Sequence, residues 1–170
     1  MSDLLSSLSI GPRRGLLRAR TAVDWYERGL ALEDSAPEQA IAAYRRALLA
    51  RPSLADAHNN LGRLLHDRGE LALAESHYKL ALTCDPEVAL YWFNLGVVVE
   101  DRDRHDEAID AYQHALALDP ALVDAHYNLA RLYEQIGRRR HDELMLRRAV
   151  RHLADYRRLA GSSRLPVSVR

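Results

Sequence analysis

A 34-residue internal repeat is the feature that most constrains how this chain of 170 residues can fold. Residues 55–88 and 89–122 share 12 identical positions when they are aligned without gaps. Three prolines mark the same point of successive copies: Pro52, Pro86 and Pro120. A further copy begins at Val123, and a degenerate copy begins near Ala22. Because a copy of this length is one supersecondary unit that cannot bury its apolar face alone, the copies are predicted to stack.

Each copy is predicted to form two helices joined by a short turn. Leu61, Leu64 and Leu65 fall on one helical stripe, and a second stripe follows the break at Gly69. The proline at the end of a copy cannot continue the second helix and so forces the next turn. Glycine inside a helix costs about 1 kcal/mol relative to alanine. Gly62, inside the first helix, therefore indicates a close approach of two helix backbones.

In combination these residues resemble the tetratricopeptide repeat family, whose pattern is an aromatic residue, Leu-Gly, and then Ala, an aromatic residue, Ala and Pro. The third copy carries the full pattern, at Trp92, Leu95, Gly96, Val99, Ala108, Tyr112, Ala115 and Pro120. The second copy has His58 in the first aromatic position, and the first copy has Arg28 in place of leucine. The fourth copy departs from the pattern after Gly137, which leaves the register of its second helix open.

The resemblance implies an all-α fold, a right-handed α-solenoid of about four helix-turn-helix hairpins over residues 22–160. The four repeats span residues 22–54, 55–88, 89–122 and 123–160. The predicted helices span residues 22–34, 37–50, 55–68, 71–83, 89–102, 105–117, 123–136 and 141–160. In this architecture the first helices line the concave side, and the arginine-rich last helix is interpreted as a solvated C-terminal cap. Residues 1–21 are expected to form a flexible N-terminal segment and residues 161–170 a disordered tail.

The composition predicts a cytoplasmic protein. No apolar run approaches the roughly 18 residues that a membrane span needs, so no membrane partner is expected. Asp3 lies where a signal peptide carries cations. A single cysteine, Cys84, excludes an internal disulfide and is expected to be a small core residue in a reducing compartment. The start of the chain also has a weak likeness to a transit peptide, but a frayed terminus is the preferred interpretation.

No catalytic or cofactor-binding motif is present in the sequence, so an enzyme, a cofactor and a small-molecule substrate are not expected. The eight histidines show no metal-binding spacing, so no metal site is predicted. His58 and His126 are predicted to be packed structural residues, because they occupy the position of Trp92. The other six are interpreted as solvated surface residues: His66, His77, His105, His114, His141 and His152.

Asparagine is the residue that points to a binding surface. Asn60, Asn94 and Asn128 repeat with the 34-residue period, each directly before the Leu-Gly or Leu-Ala step of a first helix. Asparagine is a mediocre helix former, but its carboxamide offers a donor and an acceptor that match the backbone of an extended peptide. The resemblance implies the same role, because asparagines at this position form a ladder in related arrays, including those of protein-modifying glycosyltransferases. The structural alternative is an inter-repeat hydrogen bond or inheritance by duplication.

Five further residues are predicted to face the same groove and to contact ligand side chains: Tyr26, Phe93, Tyr127, Arg63 and Arg131. Aromatic residues and arginine are the types that dominate binding energy at protein interfaces. The alternative is that some of these rings pack between neighbouring repeats. With the asparagines, these residues predict a non-enzymatic scaffold or adaptor. Its expected partner is an extended, mixed or partly basic protein segment bound in the concave groove.

The net charge of zero hides basic ends around an acidic middle. Residues 138–170 carry ten arginines and three acids, and residues 1–20 carry four arginines and one acid. These ends leave two rival functions open. One is a regulatory or nucleic-acid-associated protein, although the aromatic interleaving of single-strand binders is absent, so nucleic acid is not the expected partner. The other is a self-assembling scaffold, a homo-oligomer in which the basic last helix docks on an acidic neighbour.

Overall fold

The computed structural model describes residues 21–162 of the chain. This part folds into eight α-helices that pack in successive pairs. In chain order they are α1 (Ala22–Leu32), α2 (Pro37–Ala50), α3 (Ala55–Asp67), α4 (Leu71–Cys84), α5 (Ala89–Glu100), α6 (His105–Leu118), α7 (Val123–Arg140) and α8 (Glu143–Ser162). None of these helices is long and apolar enough to cross a membrane. The predicted all-α fold class is confirmed for the described residues.

The two segments predicted to be flexible or disordered, residues 1–21 and 161–170, fall almost wholly outside the described residues. Thr21 caps α1: its Oγ1 accepts a hydrogen bond from the backbone N of Asp24 at 3.2 Å, and the Asp24 carboxylate accepts one from the Thr21 backbone N at 2.6 Å. This reciprocal pair stabilises the start of the helix. At the other end, Gly161 and Ser162 belong to α8 rather than to the predicted tail.

Helix boundaries in the first three repeats lie within two residues of the predicted spans, but the fourth repeat differs. There α7 continues to Arg140, and α8 begins at Glu143. The turn between them contains His141, whose φ of 54° lies in the left-handed region that often ends a helix. Three consecutive arginines precede this turn, and cations are favourable near a helix C-terminus. The residues added to this repeat therefore lengthen its first helix.

The two helices of a pair are held together by a tyrosine on the second helix that lies over a glycine of the first. Three repeats share this contact: Tyr44 on Gly29, Tyr78 on Gly62 and Tyr112 on Gly96. The tyrosines are at most 1% exposed. A Cβ atom added to Gly96 would lie 2.6 Å from Cε1 of Tyr112, closer than real Cβ contacts allow. The sequence predicted a close approach of two helix backbones at the glycine, but the tyrosine ring fills this space. A backbone atom of the second helix, the carbonyl oxygen of Ala74 at 3.3 Å, is among the nearest atoms only at Gly62.

The fourth repeat keeps this packing in altered form. Ala149 of α8 is buried like Ala74 of α4, which fixes the register that the sequence leaves open. In this register Leu153 takes the position of the tyrosines, and Ala130 of α7 takes the position of the glycines. The last helix pair is therefore less completely filled than the first three.

Candidate functional site

The inner surface of the solenoid is formed by the first helices of the four repeats, α1, α3, α5 and α7. Neighbouring first helices approach one another directly, as α3 and α5 do. All eight predicted binding residues lie on the four helices of this inner surface. We call it the concave surface.

At the junction of the first two repeats, four polar side chains form one connected group. The hydroxyl of Tyr44 donates a hydrogen bond to Glu33 at 2.5 Å, and Arg63 forms an ion pair with the same carboxylate. Nδ2 of Asn60 donates to the hydroxyls of Tyr44 at 3.4 Å and of Tyr26 at 3.5 Å. The predicted binding residues Asn60 and Arg63 are therefore tied to the preceding repeat. We call the set Glu33, Tyr44, Asn60 and Arg63 a junction quartet.

A second junction quartet lies between the third and fourth repeats. The hydroxyl of Tyr112 donates to Glu100 at 2.9 Å, and Arg131 forms an ion pair with Glu100. Nδ2 of Asn128 donates to the hydroxyl of Tyr112 at 3.1 Å. The two quartets have the same residue types at the same structural positions, so the arrangement recurs after two repeats.

Burial and the neighbouring carboxylate raise the pKa of both quartet tyrosines above the ordinary value of 10. Burial is the larger cause for Tyr44 and for Tyr112, and the interactions with Glu33 and Glu100 act in the same direction. The hydroxyls therefore stay protonated at neutral pH and donate to the glutamates. Because a phenol oxygen can also accept, each tyrosine links the glutamate to the asparagine.

The central junction, between the second and third repeats, keeps the tyrosine and the asparagine, as Tyr78 and Asn94. It has His66 in place of the glutamate and Val97 in place of the arginine. Nδ2 of Asn94 donates to Oδ1 of Asn59 at 2.8 Å. His66 Nε2 lies 2.6 Å from a carboxylate oxygen of Asp101. Within the described residues, the hydroxyl of Tyr78 makes no hydrogen bond. The central junction thus lacks the linked glutamate, tyrosine and arginine of the outer two.

All three predicted aromatic contacts pack against a tyrosine of their own repeat. Tyr26 is half-buried, with its ring centroid 5.8 Å from that of Tyr44, and Phe93 lies 5.7 Å from Tyr112. The third, Tyr127, is 47% exposed. These ring contacts lie within a repeat and not between neighbouring repeats, which was the alternative raised for the aromatic residues. The ring of Tyr127 lies 5.3 Å from that of Tyr156 and keeps one face toward solvent.

Sequence reasoning missed the glutamates and tyrosines of the quartets. The signal that could have found them is a second period of 68 residues: DAHNNLGRL at 56–64 and DAHYNLARL at 124–132 agree at seven of nine positions. The intervening third repeat does not share this sequence. In this segment the second and fourth repeats are therefore more similar to each other than either is to the third.

Histidine pairs hold the two helices together in the second and fourth repeats. Nε2 of His58 lies 3.0 Å from the carbonyl oxygen of Pro52, and its Nδ1 lies 3.0 Å from Nδ1 of His77. His126 and His152 repeat the contact at 3.0 Å. The buried structural role of His58 and His126 is confirmed, but four of the histidines predicted to be solvated are half-buried: His66, His77, His105 and His152. The facing imidazole gives His77 and His152 a hydrogen-bond partner, and His66 pairs with Asp101.

Within residues 21–162, no group of three or more histidine, cysteine or acidic side chains is placed to hold a metal ion. The expectation that Cys84 is a core residue is wrong. Cys84 is the last residue of α4, and its side chain is exposed because the end of the helix leaves the contact with its partner.

Comparison with known proteins bears on the fold. The sequence profile described as Tetratricopeptide repeat matches residues 30–89, and the profile described as TPR repeat matches residues 101–137, together more than half of the chain. The chain belongs to the tetratricopeptide repeat family. No curated protein sequence matches it significantly.

Solved structures of other repeat proteins share this fold. A crystal structure of MamA has a TM-score of 0.75 and 20% identity, over 84% of this chain and 80% of MamA. MamA 41-end from Desulfovibrio magneticus RS-1 has a TM-score of 0.71 and 22% identity, over 85% of this chain and 78% of the other. The first TPR of Spaghetti (RPAP3), bound to the HSP90 peptide SRMEEVD, has a TM-score of 0.67 and 20% identity, over 69% of this chain and 94% of the other. At these identities the likeness concerns the fold.

Proposed function

We propose that this protein is a non-enzymatic scaffold or adaptor that binds an extended segment of a partner protein on the concave surface. The observation that carries the proposal is the row of exposed apolar side chains on the first helices. Leu30, Leu90 and Tyr127 are 44%, 48% and 47% exposed although they lie on the inner layer of the solenoid. A fold neighbour, the first TPR of Spaghetti (RPAP3), is bound to a peptide, which supports the same use of the surface here.

The chemistry of the concave surface alternates from repeat to repeat. One position of the first helix is occupied in turn by Leu30, Arg63, Val97 and Arg131, and another by Val23, Asp56, Leu90 and Asp124. The arginines are paired with Glu33 and Glu100, whereas the side chain of Asp124 is exposed without such a partner among the described residues. The surface therefore favours a ligand with apolar residues opposite the first and third repeats and basic residues between them.

The spacing of the helices sets the register of such a ligand. Packed helices are about 10 Å apart, so alternate repeats are about 20 Å apart. An extended chain rises about 3.3 Å per residue, so apolar ligand residues would recur about every six residues. A lysine or arginine midway would face Asp56 or Asp124.

The asparagines are proposed to hold the ligand backbone, and they differ in how many hydrogen bonds their carboxamides already make. Asn60 uses its amide nitrogen toward two tyrosines and its oxygen toward Asn59. Asn94 and Asn128 each donate one hydrogen bond, and within the described residues their carboxamide oxygens accept none. These two therefore keep both a donor hydrogen and an acceptor for a peptide unit. Asn60 is proposed as a weaker contact of the same row, with Arg63 and Arg131 as further ligand contacts.

A designed peptide tests the proposal. A fluorescent peptide of about 13 residues, with leucine at every sixth position and lysine midway, is titrated with protein and followed by anisotropy. We expect binding, and we expect the double variant Asn94→Ala, Asn128→Ala to lose about 2 kcal/mol, because each hydrogen bond contributes about 1 kcal/mol. Both substitutions replace asparagine by a better helix former, so the fold is kept.

Matched controls separate binding on the concave surface from nonspecific binding. Leu90→Glu on the concave surface should abolish binding, whereas Leu49→Glu, at an 84% exposed leucine of α2, should leave it unchanged. A peptide with glutamate in place of lysine should bind more weakly. If Leu90→Glu binds like the wild type, the concave surface is not the site, and if the double asparagine variant stays within about twofold, the backbone contacts are wrong.

Ion pairs near the basic end argue against the rival function, association with nucleic acid. Arg138 pairs with Glu134, Arg147 with Glu143 and Arg158 with Asp155. These contacts reduce the positive charge available to a polyphosphate. Retention on DNA that collapses with added salt would favour this rival over the scaffold.

A further inference from the structure

The C-terminal end of the solenoid carries an uncovered apolar groove. In the first three repeats the next first helix packs against the helix pair: α3 contacts α2, α5 contacts α4 and α7 contacts α6. In the described part of the chain α8 is the last helix. Between α7 and α8 lies a cavity of about 410 Å³. We call it the terminal groove, and its apolar lining is Tyr127, Ala130, Leu146, Ala149, Val150 and Leu153.

The internal repeats show that this face is an interface position. Val150 follows the buried alanine of α8 at the position that Ile41, Glu75 and Ile109 occupy on α2, α4 and α6. Those three side chains are 2%, 5% and 7% exposed, whereas Val150 is 69% exposed. The same position is thus buried in every repeat that has a successor and open in the one that does not.

One change of residue leaves space in the terminal groove. Tyr44, Tyr78 and Tyr112 fill the space over the small residue of the first helix. Leu153 stands at this position in the fourth repeat, and leucine does not reach as far as tyrosine. Ala130 and the exposed ring of Tyr127 therefore line the cavity. A branched or aromatic side chain from outside the described residues fits this space.

Charge around the terminal groove indicates the kind of partner. Arg131, Arg138 and Arg147 at the groove each pair with a glutamate, so the local charges largely cancel. The excess positive charge comes from the surrounding arginine-rich end. Residues 138–162 contain eight arginines and three acids. Like charges placed opposite each other oppose association, so the same face of a second copy is disfavoured, and acidic residues on the partner are favoured.

We propose that the terminal groove binds an amphipathic helix of another protein, with an apolar stripe in the groove and acidic residues along its flanks. The helix would lie on α7 and α8 as α7 lies on α6. Burial of such a stripe is the usual way in which a helix binds to a groove. The terminal groove shares Tyr127 and Arg131 with the concave surface, whereas Leu146 and Val150 of α8 belong to the groove alone, so Val150→Glu tests the groove.

A peptide patterned on α7 provides the probe. It has about 16 residues, keeps the apolar spacing of the buried α7 positions and carries glutamate at the exposed positions. A second peptide has lysine at those exposed positions. Binding is measured by fluorescence anisotropy with the wild type, with Val150→Glu and with Leu49→Glu. Both substitutions are made at exposed side chains, and circular dichroism confirms that each variant is folded.

We expect the glutamate peptide to bind at least about tenfold more tightly than the lysine peptide, and to bind less tightly as salt is added. Val150→Glu should weaken binding of the glutamate peptide at least about tenfold, while Leu49→Glu should leave it unchanged. No binding of the glutamate peptide, equal binding of both peptides or full binding to Val150→Glu would each overturn the proposal. So would a wild-type dimer that dissociates in Val150→Glu by light scattering, because a second copy would then be the occupant.

Discussion

The two outer junctions of the solenoid differ from the central one although all three use the same helix packing. In each outer junction a glutamate receives a tyrosine hydroxyl and an arginine, and an asparagine donates to the same tyrosine. In the central junction a histidine and a valine replace the glutamate and the arginine. The repeat fold therefore sets the helix geometry, while the polar contacts between repeats follow a longer period of two repeats.

The largest effect that separates the junctions is expected at the glycine under each tyrosine. A Cβ atom at Gly96 would meet Cε1 of Tyr112 at 2.6 Å, and at Gly62 it would meet that of Tyr78 at 2.9 Å. Tyr112 is held by Glu100 and Asn128, whereas the hydroxyl of Tyr78 has no such partners within residues 21–162. Gly96→Leu should lower the free energy of unfolding by about 3 kcal/mol through overpacking, as measured by urea denaturation.

Replacing Gly96 and Gly62 by alanine compares the outer and central junctions more directly. Gly96→Ala should cost about 2 kcal/mol, because the ring that it meets cannot move away. At Gly62 the ring can yield, and the gain of about 1 kcal/mol in helix propensity opposes the clash. Equal costs at the two sites, measured by urea denaturation, would mean that the quartet does not restrain its tyrosine.

The quartet hydrogen bonds should have a smaller but measurable effect. Tyr112→Phe removes a donor to a carboxylate and an acceptor for Asn128, and should lower the free energy of unfolding by about 2 kcal/mol. Tyr44→Phe should behave alike. Tyr78→Phe is the matched control in the central junction and should change stability by less than about 0.5 kcal/mol. A loss at Tyr78 as large as at Tyr112 would remove the energetic distinction between the junctions.

The histidine pairs predict a dependence on pH that differs between repeats. Burial, followed by the charges of His58 and Arg45, lowers the pKa of His77 from 6.5 to about 4. Burial also lowers the pKa of His58 and of His152. Between pH 6.5 and 4 the unfolded chain binds more protons than the folded one, so stability is present above pH 6.5 and is lost as the pH falls through this window.

His77→Ala tests this pH dependence, because alanine is the residue at the equivalent position in the third repeat, Ala111. The variant should lose about 1 kcal/mol less stability than the wild type between pH 7 and pH 5, since His77 is only partly buried. His114→Ala, at an exposed histidine, should keep the wild-type slope. Parallel curves for the wild type and His77→Ala, measured by urea denaturation at each pH, would contradict the prediction.

The 34-residue period was sufficient to predict the helices of the first three repeats, because glycine, proline and the apolar stripes mark their ends and contacts. It did not fix α8, where the burial of Ala149 and the contact of His152 with His126 show the register. The pairing of His58 with His77 could not be predicted from the sequence either. The two residues are 19 positions apart, and the packing of two helices decides whether their rings meet.

The eight predicted binding residues lie on the first helices, but the internal partners of several of them were not foreseen. Arg63 and Arg131 looked available because the glutamates that pair with them come from the preceding repeat. Such a contact depends on how neighbouring repeats stack, which a pattern within one repeat does not contain. Comparison over 68 residues would have shown that the arginines recur together with Asn60 and Asn128.

The alternation of junctions makes a pair of repeats the natural unit of growth for this molecule. A duplicated segment 55–122, inserted after residue 122, would bring Glu100 and Tyr112 of one copy to Asn60 and Arg63 of the next, so every contact would find its partner. A duplicated segment 55–88 would instead set Arg63 beside His66, without a carboxylate. Lengthening or shortening this solenoid by two repeats would keep the polar contacts of every junction. A change by a single repeat would leave one junction without them until later substitutions restored them.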